Sequence, residues 1–405
     1  MGFITKLFSQ KKILILDIWN YKVKAWVCIL ENSKLKLISY SEKRQNKEDF
    51  LYWEISDIEG IIETISDALE KIKDELGSIP GDVIVNIPSN KINTITSRVD
   101  YTRKDKDKPI TISELDTIIH KTEFQNIQKA QKQIEEKTGY IDTDLKLVTS
   151  SITKILIDGL VVNNPLKFTW KNVVIDTLNI FIPLSIYNII KVIIKELNLN
   201  LISIVPLEFS IPKILEKTDY RDKDVLFIDI WSFKTNITVQ KAWSIIWIDI
   251  LTVWINDLVN LIKSKDDKLM DSEIIEKIDQ DDFFVEEKKE FLNIWFDWLI
   301  LVLKEIIKDD ITPHNIFLLW GGNNDFIKNF LKEKDFNKFG LKAIKKVDFV
   351  SYDKKIFKNY TIKDIVLDKT NIWLLSQILV TEEILNNRDD LIVNRLKQIL
   401  NKFNL

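Results

Sequence analysis

The distribution of apolar residues along the chain predicts alternating strands and helices. Apolar runs of strand length, many rich in β-branched residues, occur at 13–17, 23–30, 83–87, 145–157, 173–182, 201–205, 225–229, 235–240, 244–251 and 316–319. Apolar residues recur at helical spacing over 57–72, 112–137, 184–197, 255–262 and 286–308. Strands and helices mixed in this way are typical of an α/β protein.

A strand-turn-strand pattern occurs once in each half of the chain. One apolar strand ends in Asp17-Ile18-Trp19, and a later one ends in Asp229-Ile230-Trp231. In both places a polar turn and a second apolar strand follow. This weak internal repeat predicts a duplicated architecture.

Length and composition set limits on the class of protein. A chain of 405 residues predicts at least two domains. The net charge of -3, with charges of both signs, argues against a nucleic-acid partner, since nucleic-acid-binding domains usually carry a basic excess. The single cysteine, Cys28, excludes an internal disulfide framework. With only two histidines as well, the chain has few side chains that could bind zinc or act in histidine-based catalysis.

Two apolar segments help to predict whether the protein is secreted, membrane-spanning or cytoplasmic. Residues 1–12 have a short apolar stretch among lysines without a cleavage-site pattern, so we expect a cytoplasmic protein. The segment 243–262 is long enough to span a membrane, but it contains Asp249 and Asp257. An aspartate at the bilayer centre costs about 2.5 to 3.5 kcal/mol, so a buried strand and helix are expected instead.

Glycine is rare and tryptophan is frequent in this chain. Average usage of about 7% would give roughly 28 glycines, whereas the chain has 9, together with 12 tryptophans. Trp19, Trp231 and Trp320 stand at sharp turns after strands, where a bulky side chain is unfavourable. We hypothesise that these codons are UGA, read as glycine in the source organism. The alternative is genuine tryptophan in an AT-rich genome that is depleted of glycine.

Three turns after apolar strands predict a phosphate-binding site. With glycine restored they would read Asp-Ile-Gly-Asn-Tyr-Lys from 17, Asp-Ile-Gly-Ser-Phe-Lys-Thr from 229 and Gly-Gly-Gly-Asn from 320. Glycine turns let backbone N–H groups approach phosphates closely. Asp17 and Asp229, at strand ends, are candidates to hold a divalent ion through water. The predicted ligand-binding residues are Asp17, Trp19, Asn20, Tyr21, Lys22, Asp229, Trp231, Ser232, Phe233, Lys234, Thr235, Trp320, Gly321, Gly322 and Asn323.

Nearly the whole chain resembles the FtsA family of bacterial cell-division proteins. Lys22 matches the lysine of that family's first phosphate motif, and Lys234-Thr235-Asn236 stands where the family has a Thr-Thr-Asp type of sequence. Asp158-Gly159, Asn164-Pro165 and Trp170 resemble a succession in the family's inserted subdomain, called 1C. The resemblance implies an α/β, actin-like (ribonuclease H-like, duplicated) two-domain fold with an inserted 1C (SHS2) subdomain.

The resemblance also implies a function. The expected cofactors are ATP and Mg²⁺, with slow hydrolysis at most and no catalytic residue assigned, because Asn236 replaces the final acid of the second phosphate motif. The expected protein self-associates into filaments and tethers FtsZ to the cytoplasmic side of the cell membrane at the division septum. Few residues lie between 262 and 286, where FtsA has the subdomain 2B that receives FtsZ.

Other functions stay open. A PilM-like type IV pilus scaffold shares the fold and the insertion, and a short 2B is PilM-like. A sugar or acetate kinase would need a catalytic carboxylate that we do not see. Genuine tryptophans at the turns would leave a nucleotide-free scaffold. The expected domains are a tail (1–12), subdomain 1A (13–82 and 184–222), subdomain 1C (83–183), domain 2 with a shortened 2B (223–380), a linker (381–390) and a terminal helix (391–405).

The predicted terminal helix is amphipathic. Its apolar face comprises Ile392, Val393, Leu396, Ile399, Leu400 and Phe403. Arg395, Lys397 and Lys402 lie elsewhere on it, which favours binding to the lipids of the cytoplasmic membrane. The alternative is a helix packed on its parent domain.

Overall fold

The chain forms two compact units. The computed structural model describes residues 11–18, 22–46, 48–51, 54–87, 92–139, 144–162, 165–230, 234–241, 244–251, 253, 255–278, 280, 282–307, 311–320, 325–343, 348–349 and 372–386. The first unit comprises Met1–Ile214 with Lys354–Leu405, and the second comprises Leu215–Asp353. Each unit contains a five-stranded mixed sheet of its own.

The sheet of the first unit has the strand order β11-β6-β1-β2-β3. Its strands are β1 (Lys12–Ile18), β2 (Lys22–Glu31), β3 (Lys34–Arg44), β6 (Asp82–Asn86) and β11 (Asn200–Ile204). The first three strands form an antiparallel meander. On the other side of β1, strands β6 and β11 run parallel to it, so the carboxyl ends of all three lie at one edge of the sheet.

The sheet of the second unit repeats this topology in the order β14-β13-β12-β16-β18. Its strands are β12 (Val225–Ile230), β13 (Thr235–Lys241), β14 (Ser244–Leu251), β16 (Asn315–Trp320) and β18 (Asp348–Phe349). Here too a three-stranded meander is extended by two strands parallel to its first strand. The duplicated α/β architecture predicted from the sequence is therefore confirmed.

Helices cover the first sheet on both faces. Helices α1 (Ile58–Leu76) and α3 (Leu184–Glu196) pack on the face that carries Val23, Ala25 and Val27. Asp57 caps the start of α1 with its carboxylate, and Gly77 ends the helix in the left-handed conformation.

The opposite face of this sheet carries Trp26. That indole is 1% exposed and meets the ring of Trp373 edge to face at 4.7 Å. Trp373 belongs to helix α9 (Ile372–Asn386). The carboxylate of Glu382 accepts the backbone N–H of Leu35, which ties α9 to the edge strand β3.

Helix α9 overlaps the first part of the predicted linker 381–390 and corrects it there, while residues 387–390 lie outside the described residues. The helix continues to Asn386, and both Thr381 and Leu385 are buried. The sequence pattern did not reveal this helix because apolar residues lie on all of its faces, as expected for a helix packed inside a protein. The predicted terminal helix 391–405 lies outside the described residues.

Residues 93–183 form a separate layer within the first unit. Its antiparallel sheet has the order β7-β10-β8-β9, and helix α2 packs on it. The elements are β7 (Asn93–Thr102), α2 (Ile112–Thr138), β8 (Leu145–Ile157), β9 (Leu160–Val161) and β10 (Asn172–Pro183). Strands β3 and β7 were absent from the prediction because Ser39, Ser41 and Ser97 occupy buried positions and weaken the apolar alternation.

Helices α5 (Ile255–Lys263) and α7 (Val285–Ile307) fill the core of the second unit. The segment 243–262 contributes to β14 and α5, in agreement with the predicted strand and helix. Among the described residues, no helix has the length and apolar character needed to cross a membrane. The remaining elements are β4 (Phe50–Leu51), β5 (Glu54–Ile55), α4 (Leu207–Ser210), a 3-10 helix (Ile211–Lys217), α6 (Asp271–Lys277), β15 (Ile311–Thr312), α8 (Asp325–Glu333), a 3-10 helix (Phe336–Phe339) and β17 (Lys342–Ala343).

Candidate functional site

The two repeated hairpins place an aspartate at the same point of each sheet. Asp17 is the penultimate residue of β1 and pairs with Lys24 of β2. Asp229 is the penultimate residue of β12 and pairs with Asn236 of β13. Both aspartates are nearly inaccessible, at 1% and 6% exposure. Burial of a carboxylate is costly, so each repeat must surround this group with polar partners.

In the first unit, polar side chains form a row across four strands. Asn86 is the parallel neighbour of Asp17 and donates its side-chain amide to the carboxylate at 2.5 Å. On the other side, Lys24 pairs with Asp17, and Glu42 of β3 pairs with Lys24. The row thus alternates amide, acid, base and acid at the carboxyl end of β1, which suits the binding of a charged ligand.

Glu42 is also the centre of a hydrogen-bonded group. Lys22 donates to its carboxylate at 2.5 Å, and the hydroxyl of Tyr40 donates to the other oxygen. Burial alone would raise the pKa of Glu42, but these two hydrogen bonds outweigh it and lower the pKa. Burial and the bond to Glu42 raise the pKa of Tyr40. Lys22, a predicted ligand-binding residue, is therefore held beside an ionised carboxylate.

Lys24 is a site residue that the prediction omitted. Burial lowers the pKa of its ammonium group, while the carboxylates of Asp17 and Glu42 partly offset this effect. The ammonium lies 4.2 Å from the ring centre of Trp373. A lysine in the interior of an otherwise apolar strand was the sequence signal for this position, because such a residue needs a charged or aromatic partner.

In the second unit, the residues at the start of β13 are buried. Lys234 is 4% exposed and Thr235 is fully buried. The hydroxyl of Thr235 donates to the backbone carbonyl of Val253 at 2.9 Å and accepts the indole N–H of Trp295 at 3.2 Å. Its side chain therefore stabilises the core, and a ligand contact of Thr235 would involve its backbone.

The third predicted turn follows β16. This strand is parallel to β12, and its last residue, Trp320, pairs with Ile230. The turn therefore starts at the same sheet edge as the turn after Asp229. The other predicted residues of the three turns lie outside the described residues, namely Trp19, Asn20, Tyr21, Trp231, Ser232, Phe233, Gly321, Gly322 and Asn323.

The described residues contain no group of three or more histidine, cysteine, aspartate or glutamate side chains that could hold a metal ion. The two predicted metal ligands, Asp17 and Asp229, belong to different units. One buried carboxylate in each hairpin fits an ion that keeps several waters and binds phosphate oxygens, as Mg²⁺ usually does. It does not fit a cage built by protein ligands alone.

Comparison with known proteins supports the fold. No protein-family model and no curated protein sequence matches the chain. A solved PilM-PilN type IV pilus biogenesis complex contains a chain with a TM-score of 0.61 and 11% identity, covering 92% of this chain and 98% of that chain. A protein of unknown function with an actin-like ATPase fold from Bacteroides thetaiotaomicron has a TM-score of 0.44 and 10% identity, covering 93% and 98%. The chain has the actin-like fold, while the narrower resemblance to FtsA is not shown by these comparisons.

The contacts of Thr235 predict a structural role for its side chain. Thr235→Val removes the hydroxyl and leaves the Trp295 N–H and the Val253 carbonyl without that partner, which should destabilise the protein by about 1 to 3 kcal/mol. Thr235→Ser keeps the hydroxyl and is the matched control. Urea unfolding followed by circular dichroism should show an earlier transition for the valine variant only. Equal transitions for the two variants would contradict this role.

Proposed function

We propose that this chain is an ATP-binding, actin-like scaffold that self-associates and attaches to the cytoplasmic side of the membrane. The observation that carries the proposal is the repeated hairpin, which buries Asp17 and Asp229 at equivalent positions of two equivalent sheets. A strand end that buries one acid, present in each of the two sheets, is suited to interaction with a charged ligand. Asp17 and Asp229 would hold hydrated Mg²⁺, which neutralises phosphate charge when bound.

The basic residues of the first hairpin would bind the phosphates. Lys22 and Lys24 both lie on β2, two residues apart, so their side chains project from the same face of the sheet. Backbone N–H groups of the turns at 19–21 and 231–234 would add further donors. The turn at 320–323 would border the adenosine. Asn236 in place of an acid favours slow turnover at most.

ATP binding can be tested by calorimetry in the presence of Mg²⁺. Asp17→Asn and Asp229→Asn should each weaken binding at least about tenfold, because each removes a charge-assisted interaction. Asp82→Asn is the matched control, since Asp82 lies at the amino end of β6, away from Asn86, and accepts a hydrogen bond from Asn200. Circular dichroism would establish that all variants are folded.

The parent for this test should carry glycine at the three turns, as Trp19→Gly, Trp231→Gly and Trp320→Gly. If this parent binds no ATP, or if Asp82→Asn weakens binding as much as the site variants do, the nucleotide proposal is wrong.

The choice of a parent protein with glycine at the three turns rests on a second part of the proposal. This part is that the source organism reads UGA as glycine at these turns. Peptide mass spectrometry on protein from the native cells, covering residues 13–24 and 225–240, checks it directly. We expect glycine at 19 and 231. Tryptophan at both positions would refute the recoding there and favour the nucleotide-free scaffold.

For the cellular role, we propose an FtsA-like tether between FtsZ and the membrane at the division septum. The layer of residues 93–183 would be subdomain 1C, and the apolar face of 391–405 would enter the lipid interface. This proposal rests on the motif resemblance together with the actin-like fold.

A PilM-like pilus scaffold is the second candidate. Among the described residues between α5 and α7, the one helix is the short α6 (Asp271–Lys277), in the region where FtsA receives FtsZ. The small size of this region favours a partner other than FtsZ. In the solved complex PilM is bound to PilN, so the corresponding expectation is a short peptide from an inner-membrane pilus protein.

Co-sedimentation of the chain with lipid vesicles and FtsZ separates the two roles. We expect FtsZ to pellet with the vesicles only when the chain is present. Leu396→Asp with Leu400→Asp should sharply reduce pelleting, because two charges enter the apolar face. Asn394→Asp with Asn401→Asp adds the same charge on the other face and should retain more pelleting. FtsZ left in the supernatant while the chain pellets would favour the pilus role.

A further inference from the structure

Three loops join at one end of the 93–183 layer. They are the segment 103–111, the turn between β8 and β9, and the segment 165–172. The backbone N–H of Ile110 donates to the carbonyl of Phe168 at 2.7 Å, and that of Asp158 donates to the carbonyl of Asn172 at 2.9 Å. The carboxylate of Asp158 in turn accepts the backbone N–H of Asn172 at 2.7 Å. The three loops therefore form one connected surface.

Arg103 fastens this surface to helix α2. Its guanidinium forms two hydrogen bonds with the carboxylate of Glu114, at 2.8 and 2.9 Å. It also donates to the backbone carbonyls of Trp170 at 2.9 Å and Lys108 at 2.7 Å. Because its side chain is only 2% exposed, the ion pair is well shielded from solvent, and bidentate pairs of this kind hold a fixed geometry.

Large apolar side chains project from this surface into solvent. Leu160 is 58% exposed, Val161 54% and Trp170 37%. Gly159, with a φ of 86°, makes the tight turn that presents Leu160 and Val161. We call these three residues the apolar tip. Apolar groups held outward by a hydrogen-bonded scaffold favour a binding surface over a loosely packed loop.

Exposed lysines are frequent in the loops next to the apolar tip. The exposed lysines of the same three loops are Lys104, Lys106, Lys108, Lys167 and Lys171. They outnumber the acids there, Asp105, Asp107 and Asp158. Asp105 is paired with Lys108 at 2.7 Å, and Asp158 accepts backbone N–H groups. Arg103 does not add to this charge because Glu114 neutralises it.

We propose that the apolar tip is a membrane-contact site that inserts into the interface of an anionic lipid bilayer. Leucine, valine and tryptophan side chains can enter the headgroup boundary, where the indole is favoured. Lysines that remain in the aqueous layer bind anionic headgroups. This contact does not depend on ATP binding, and it is additional to the terminal helix proposed above.

A fluorescent label tests the tip in the full chain. Val161→Cys is labelled with NBD, whose emission shifts to the blue in apolar surroundings. The chain's own Cys28 is buried and should not react. We expect a blue shift with vesicles of phosphatidylcholine and phosphatidylserine, and none with phosphatidylcholine alone. The matched control is Val192→Cys on α3, a valine of similar exposure at 47%, which should not respond.

Charge variants on the labelled Val161→Cys chain test the role of the lysines. Lys104→Gln with Lys106→Gln should weaken the fluorescence response to anionic vesicles by about tenfold or more, since each lysine near an anionic surface contributes about fivefold. Lys129→Gln with Lys132→Gln, further along α2, removes the same charge away from the tip and should leave the response nearly unchanged.

Two outcomes would overturn the proposal. If the chain pellets with anionic vesicles while the label at 161 stays unchanged, the terminal helix binds alone and the tip does not contact lipid. If the blue shift appears without vesicles and grows with protein concentration, the tip is a contact between copies of the chain. Both outcomes leave the ATP proposal untouched.

Discussion

The burial of one carboxylate at the end of the first strand of each sheet is the constraint on which the site depends. Asp17 is almost completely removed from solvent, and an ionised carboxylate in that position requires donors. The amide of Asn86 supplies one at 2.5 Å, and the ammonium of Lys24 lies across the strand pair. This requirement explains why polar side chains interrupt three strands that are otherwise apolar, and why they do so in a single row.

The duplicated topology repeats this constraint in the second unit. In both sheets the acid stands where an antiparallel hairpin meets a parallel neighbour, β6 in one unit and β16 in the other. The two copies differ in their surroundings. Lys24 pairs with Asp17, whereas Asn236 pairs with Asp229, so the cross-strand neighbour of the acid is cationic in the first hairpin and neutral in the second. The same strand topology therefore carries different side-chain chemistry in the two units.

The sequence was sufficient to predict the duplicated α/β fold and the equivalent strand-end positions of the two aspartates. Both follow from a local pattern, namely long apolar strands that end in the same tripeptide. Lys24, Asn86 and Glu42 were absent from the predicted site, since their places in the polar row with Asp17 depend on pairing between strands. Asn86 is 69 positions from the carboxylate that it binds. Helix α9 and strands β3 and β7 were missed for a related reason. Tertiary packing buries serines in the strands and surrounds a helix that has apolar residues on all faces, and no local period reveals either effect.

The tryptophans also divide according to their surroundings. Trp26, Trp295 and Trp373 are all buried. Trp26 meets Trp373, the ring of Trp373 receives the ammonium of Lys24, and the indole N–H of Trp295 reaches Thr235. Glycine at these positions would leave cavities and remove an aromatic partner of the half-buried Lys24. At the predicted turns, by contrast, a bulky side chain is unfavourable, so the Asp-Ile-Trp sequences there favour glycine. If UGA is read as glycine at the turns, as hypothesised above, the codons of these three buried tryptophans are expected to be UGG.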